Sequence, residues 1–221
     1  MEIDTSPSSP HFGGIQPSWR ELNFTTELLH NIWATIMEFD NLYIELEKNV
    51  GKSKLDDSIR FLRKCGLLAE DNGLTLTGIL LTDEFRPAAT SVQNDGIVLG
   101  EKRRLSDGEV AILRNIIFRK NTVPMMAAIH QLAFSEVSDK ETEQRAKDFV
   151  SLTGYLDEYD SSWSIGTKKK KAQAHFEWVK QLDLAERTRD DHIELTPTGR
   201  VIHKKLKNSY PANWPKKVTD Y

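Results

Sequence analysis

The chain has 221 residues, 38% of them apolar and 29% charged, and a net charge of −3. These are the values of an ordinary soluble protein with room for one large or two small domains. No run approaches the roughly 20 apolar residues of a membrane span, and the acidic, polar opening MEIDTSPSSP lacks the apolar stretch of a secretory signal. A single cysteine, Cys65, excludes an internal disulfide and a cysteine-based metal site. That fits a reducing compartment, and a cytoplasmic location, nucleoid-associated or not, is expected.

The charge is uneven. Residues 1–105 hold 11 Lys and Arg against 16 Asp and Glu, a balance of −5, whereas residues 106–221 balance at +2. The positive excess lies at Lys168–Lys171, Arg200–Lys207 and Lys216–Lys217. A negative total argues against strong non-specific binding of nucleic acid, so any phosphate contact is expected in the second half.

Residues 1–19, with SPSSP and Gly13-Gly14, read as a flexible arm. A first domain is expected over 20–86. Thr25 or Thr26 is placed to cap a helix with the stripe Leu28, Leu29, Ile32, Trp33, Ile36 and Met37. A shorter helix is predicted near Leu42 to Val50, and a third, capped by Ser53, turns Leu55, Ile59 and Leu62 inward and stops at Gly66. Leu67–Glu70, the turn Asp71-Asn72-Gly73 and Leu74–Leu76 then read as a hairpin. Thr75 caps a last helix running to about Phe85. Residues 87–104 read as a linker, with a possible extra strand at Ile97–Leu99.

A second domain is expected over 105–207. Ser106 and Glu109 form a capping box for a helix through Arg119 carrying Val110, Ile112, Leu113, Ile116 and Ile117. Helices follow over Val123–Phe134 and over Lys140–Leu152, the latter capped by Ser138 or Asp139. After an acidic, aromatic loop, Thr167 is placed to cap Lys168–Leu182, with Ala172, Phe176, Val179 and Leu182 inward. Leu184–Leu195 reads as a hairpin, and Thr196 with Pro197 opens a final helix. Residues 208–221 form a tail.

One pattern occurs twice. FLRKCGLLAEDNGLTLTG runs from Phe61 to Gly78, and WVKQLDLAERTRDDHIELTPTG runs from Trp178 to Gly199. Each ends a helix, makes a hairpin through Leu-Ala-Glu and closes on Leu-Thr-x-Thr-Gly. This resembles the end of the wing in winged helix-turn-helix proteins such as MarR-like and PadR-like regulators. The resemblance covers the third helix, the wing and the capping threonine of each half. It implies a mainly α protein with small β-wings, built as two winged-helix-like domains in tandem, the second with an additional helix and a longer wing.

Such modules bind nucleic acid or other proteins and rarely catalyse, so no enzymatic activity is expected. Lys168, Lys169, Lys170 and Lys171 fall on the helix that corresponds to the recognition helix, where lysines meet phosphate. Arg187 and Arg189 in the wing could reach an adjacent phosphate. The alternative is a solvated lysine patch. In the first half, Asp56 and Asp57 stand where DNA phosphate would lie, which favours protein docking or a plain solvated face. Cys65 reads as a buried, inert thiol. The six histidines lack metal-ligand spacing, and His30 and His130 read as core residues. Asp157-Glu158-Tyr159-Asp160 reads as an acidic surface loop. No cofactor or metal is expected.

Trp19, Tyr210 and Trp214 are aromatics outside the predicted elements, suited to anchoring on a protein partner. Two functions therefore stand: a protein or subunit that binds nucleic acid, with double-stranded DNA favoured, or a non-enzymatic accessory subunit. In the second case the chain would dock onto a larger assembly, such as an SMC-type ATPase or nuclease machine of antiviral defence or chromosome maintenance.

Overall fold

The structure, a computed structural model, describes residues 21–86, 103–134, 137–138, 143–153, 163–188 and 192–209. These residues are mainly helical with a small antiparallel sheet. The first half holds α1 (Leu22–Ala34), α2 (Phe39–Val50), α3 (Lys52–Lys64) and α4 (Leu76–Asp83). The second holds α5 (Asp107–Lys120), α6 (Thr122–Phe134), β1 (Val137–Ser138), α7 (Glu143–Thr153), α8 (Ile165–Gln181), β2 (Ala185–Arg187), β3 (His192–Leu195) and α9 (Pro197–Ser209). β3 lies between β1 and β2, with Ala185 opposite Leu195 and Val137 opposite Ile193.

The repeated pattern folds twice by the same hydrogen bonds. At the end of α3 the Leu67 amide donates to Leu62 O at 2.9 Å, and at the end of α8 the Leu184 amide donates to Val179 O at 2.9 Å. Both helices stop on a left-handed residue, Gly66 at φ +71° and Asp183 at φ +56°, a conformation that Gly and Asp tolerate. The Thr75 amide donates to Leu67 O, and the Thr196 amide to Leu184 O. The hydroxyls of Thr75 and Thr196 then accept from the amides of Gly78 and Gly199, at 3.0 and 3.1 Å. These caps are the ones expected from the sequence. The closing glycines are forced by proximity: a Cβ would lie 2.1 Å from Leu67 O at Gly78 and 1.9 Å from Leu184 O at Gly199.

Several expected boundaries move. Thr25 and Thr26 do not cap α1. Glu21 holds that position, and the two hydroxyls donate back to Glu21 O and Asn23 O within the first turn. α1 also ends at Ala34, because Thr35 is extended, so Ile36 leaves the apolar stripe fully exposed and Trp33 is half-exposed. Gly51, at φ +82°, opens α3 in place of Ser53. Leu76 is helical rather than a strand residue, since the Thr75 cap starts α4 there. The first hairpin therefore shrinks to one bridge between Leu68 and Leu74. Ser138 pairs with His192 in β1 and cannot cap α7, which starts at Glu143. Ser164, not Thr167, caps α8, accepting from the Thr167 amide. The possible strand at 97–99 lies outside the described residues.

Leu55, Ile59, Leu62, Val110, Leu113, Ile117, Ala172, Phe176, Val179 and Leu182 are buried as expected. They belong to one apolar cluster that runs through both halves. Phe61 and Trp178, equivalent positions of the repeat, meet edge to face with centroids 5.5 Å apart. Across the same seam the Leu22 amide donates to Gln181 Oε1 at 2.7 Å; within the second half, Arg114 Nε on α5 donates to Leu182 O at the end of α8, also at 2.7 Å.

Candidate nucleic-acid interface

α8 positions the lysine run. Because Ser164 rather than Thr167 caps the helix, Lys168–Lys171 occupy its fourth to seventh positions, one turn inside the N-terminus. The helix dipole falls off within the first turn, so four cations here meet little opposition from it. Lys170 is exposed, and Lys168 and Lys169 are half-buried.

Lys171 differs from its neighbours. Its ammonium lies 5.9 Å from the Trp163 ring, and its carbonyl accepts from His175 Nδ1 at 2.8 Å. Burial lowers its pKa, the carboxylate of Asp57 on α3 works against that, and Lys64 adds to it. The equivalent residue of the first repeat, Lys54, sits 4.0 Å over the Phe24 ring and 3.4 Å from Glu21. Both repeats thus set a lysine ammonium over an aromatic ring, where the ring's negative face attracts the charge.

The wing carries Arg187, exposed at the end of β2. Arg189 lies outside the described residues, as do Trp19, Tyr210, Trp214 and the acidic run 157–160. α9 adds Arg200, Lys204, Lys205 and Lys207, all exposed, with Arg200 3.7 Å from Glu194.

α3 presents a different surface. Tyr43 OH donates to Asp56 Oδ1 at 2.6 Å, which pushes the tyrosine pKa up to about 12. Asp57 pairs with Arg60 at 3.1 Å, and Arg63 donates to Asn72 Oδ1 in the turn. A groove of about 510 Å³ opens between α2 and α3 among these groups. Cys65 is buried, and burial pushes its thiol pKa up, so it carries no thiolate at neutral pH.

Three polar constellations escaped the sequence reading. Arg103, assigned to a linker, is buried. It forks onto Glu109 at 2.6 and 2.7 Å, donates to Thr26 Oγ1 and lies 3.5 Å from Glu27. It also stacks 4.2 Å from the Phe85 ring, whose other partner is His30 at 4.1 Å. A lone arginine in a polar stretch gives no signal of this; the capping box shows Glu109 but not its second partner. The second constellation is His175, held between Lys171 O and Asn121 Nδ2 at 3.0 Å. The third is His130 on α6 facing His203 on α9.

No protein-family model, curated protein or solved structure matches this chain. Among the described residues no helix is long and apolar enough to cross a membrane, and no group of three or more ligating side chains is arranged to hold a metal ion.

Proposed function

We propose that this chain is a tandem winged-helix protein that binds double-stranded DNA through its second half. Lys168, Lys169 and Lys170 on α8, with Arg187 in the wing, would make the main phosphate contacts. The observation that carries this reading is their placement. Three lysines lie on the N-terminal half of the helix that leads into the hairpin, and an exposed arginine lies on the hairpin itself. Lysines so placed release counterions from the duplex, and each phosphate contact adds about 0.9 to the salt slope.

The test is fluorescence anisotropy with a labelled duplex at several salt concentrations. The combined change of Lys168, Lys169 and Lys170 to alanine is expected to weaken binding and flatten the slope by up to about three units. Lys171→Ala is expected to lower stability more than affinity, because its ammonium sits over the Trp163 ring and its neighbourhood is shared with α3. Wild-type protein that shows no binding at low salt ends this reading.

A second reading is favoured by the first half. There Asp56 and Asp57 line the outer side of α3, and Trp33 and Ile36 stand exposed beside α2. Such a surface suits a non-enzymatic accessory subunit that docks onto a larger assembly, of the SMC-type ATPase or nuclease kind, while the second half touches DNA. Co-purification from the native host, with Trp33→Ser and Ile36→Ser compared against wild type, tests it. A partner that both forms retain equally removes this surface from the interface.

A further inference from the structure

We propose that a duplex held by the second half also lies across the seam between the halves, where Lys64 of α3 and Lys120 of α5 continue the basic surface of α8. The inference rests on the DNA reading above and extends it into the first half.

Three helices meet at this point. Lys171, His175 and Trp178 follow one another along one face of α8, at i, i+4 and i+7. The end of α5 is tied to that face. Asn121, the residue after Lys120, donates from Nδ2 to His175 Nε2 at 3.0 Å, and His175 Nδ1 donates to the Lys171 carbonyl at 2.8 Å. The end of α3 is tied to the same face by Phe61, one turn before Lys64, which packs on Trp178 with centroids 5.5 Å apart. Asn121, His175 and Trp178 are buried, so these ties are held inside the protein, while Lys64 and Lys120 are exposed. The electrostatics agree with this placement. After burial, the charges that act on Lys171 are those of Asp57 and Lys64, and Lys120 acts on buried Cys65, the neighbour of Lys64.

α3 is divided by charge. Asp56 and Asp57 stand in its first half, and Arg60, Arg63 and Lys64 in its last turns. Asp57, whose charge reaches Lys171, is paired with Arg60 at 3.1 Å, and Arg63 donates to Asn72. Lysines gathered from three helices repel one another, and a polyanion laid across them relieves that repulsion while shedding its counterions. Nothing in folding rewards the gathering of these ammonium groups, which is the mark of a surface made for an anion.

The experiment is duplex binding by the full chain, followed by fluorescence anisotropy at several salt concentrations. Lys64→Ala with Lys120→Ala should weaken binding and flatten the salt slope by up to about two units. Lys64→Arg with Lys120→Arg should keep the wild-type slope, since the charges remain. Lys52→Ala serves as the control: it removes an exposed charge at the other end of α3, roughly 18 Å away and beyond the screening length. Its slope should stay at the wild-type value. If the wild type and the Lys168, Lys169 and Lys170 variant behave as a duplex-binding protein should, but the Lys64 and Lys120 variant keeps its slope, this inference falls alone. An equal loss in Lys52→Ala also overturns it, by reducing the effect to net charge. A wild type that binds no duplex at low salt overturns both readings together.

Discussion

The charge of Arg103 is taken out of water together with those of Glu27 and Glu109. Buried ions are tolerated only when paired, and removing one partner strands the others at a cost of about 3–5 kcal/mol. Arg103→Met is therefore expected to destabilise the protein by that amount in urea denaturation. A loss near zero would mean that the carboxylates accept protons or water in its place. His175 makes a second prediction. Burial holds its pKa at about 4, against an ordinary value of 6.5. The unfolded chain then binds a proton that the folded chain refuses, so stability is full above pH 6.5 and declines as pH falls toward 4. The difference amounts to about 3 kcal/mol. Denaturation curves collected from pH 7.5 to 4.5 should show this slope, and His175→Gln should flatten it. An equal slope in the variant would assign the acid sensitivity to other groups.

At the scale of the element, one device is used twice. A helix stops on a left-handed residue, the chain turns back, and a threonine hydroxyl caps the next helix while donating to the end of the previous one. Thr75 donates to Gly66 O at 2.7 Å and Thr196 to Asp183 O at 2.9 Å. The closing glycine lets the new helix pass within touching distance of the old one. Replacing a helical glycine by alanine ordinarily stabilises by about 1 kcal/mol. Here the added methyl would strike the carbonyl of Leu67 or Leu184, and the sign should reverse. Gly78→Ala and Gly199→Ala are each expected to destabilise by about 1–3 kcal/mol, read from denaturation midpoints. A stabilised variant at either position would contradict the close approach.

For the whole molecule, both copies of this device feed one core. Phe61 touches Trp178, Gln181 accepts from α1, and Arg103 ties α1 to the start of α5. Halves joined by a continuous apolar cluster and a shared buried ion cluster should not unfold separately. Tryptophan fluorescence and far-ultraviolet circular dichroism are expected to report one coincident transition. Two resolved transitions would show that each half carries its own stability.

What the sequence determined by itself is local. The Ser106–Glu109 capping box, the Thr75 and Thr196 caps, the stop at Gly66 and the inward stripes of α3 and α8 need only neighbours within four residues, so spacing reveals them. Their repetition carried the reading of two related modules. Boundaries that depend on competing caps were not legible: Ser164 and Thr167 are both sound caps, and only the packing of α8 chooses between them. Tertiary structure alone decided which distant groups meet. No spacing rule brings Arg103 to Glu27, Asn121 to His175, or His130 to His203 across 73 residues. It also decided that Lys171 lies near Asp57 of α3 while Lys170 faces water. Four identical lysines in a row are equivalent in sequence, and the turn of a helix against its neighbours makes them different.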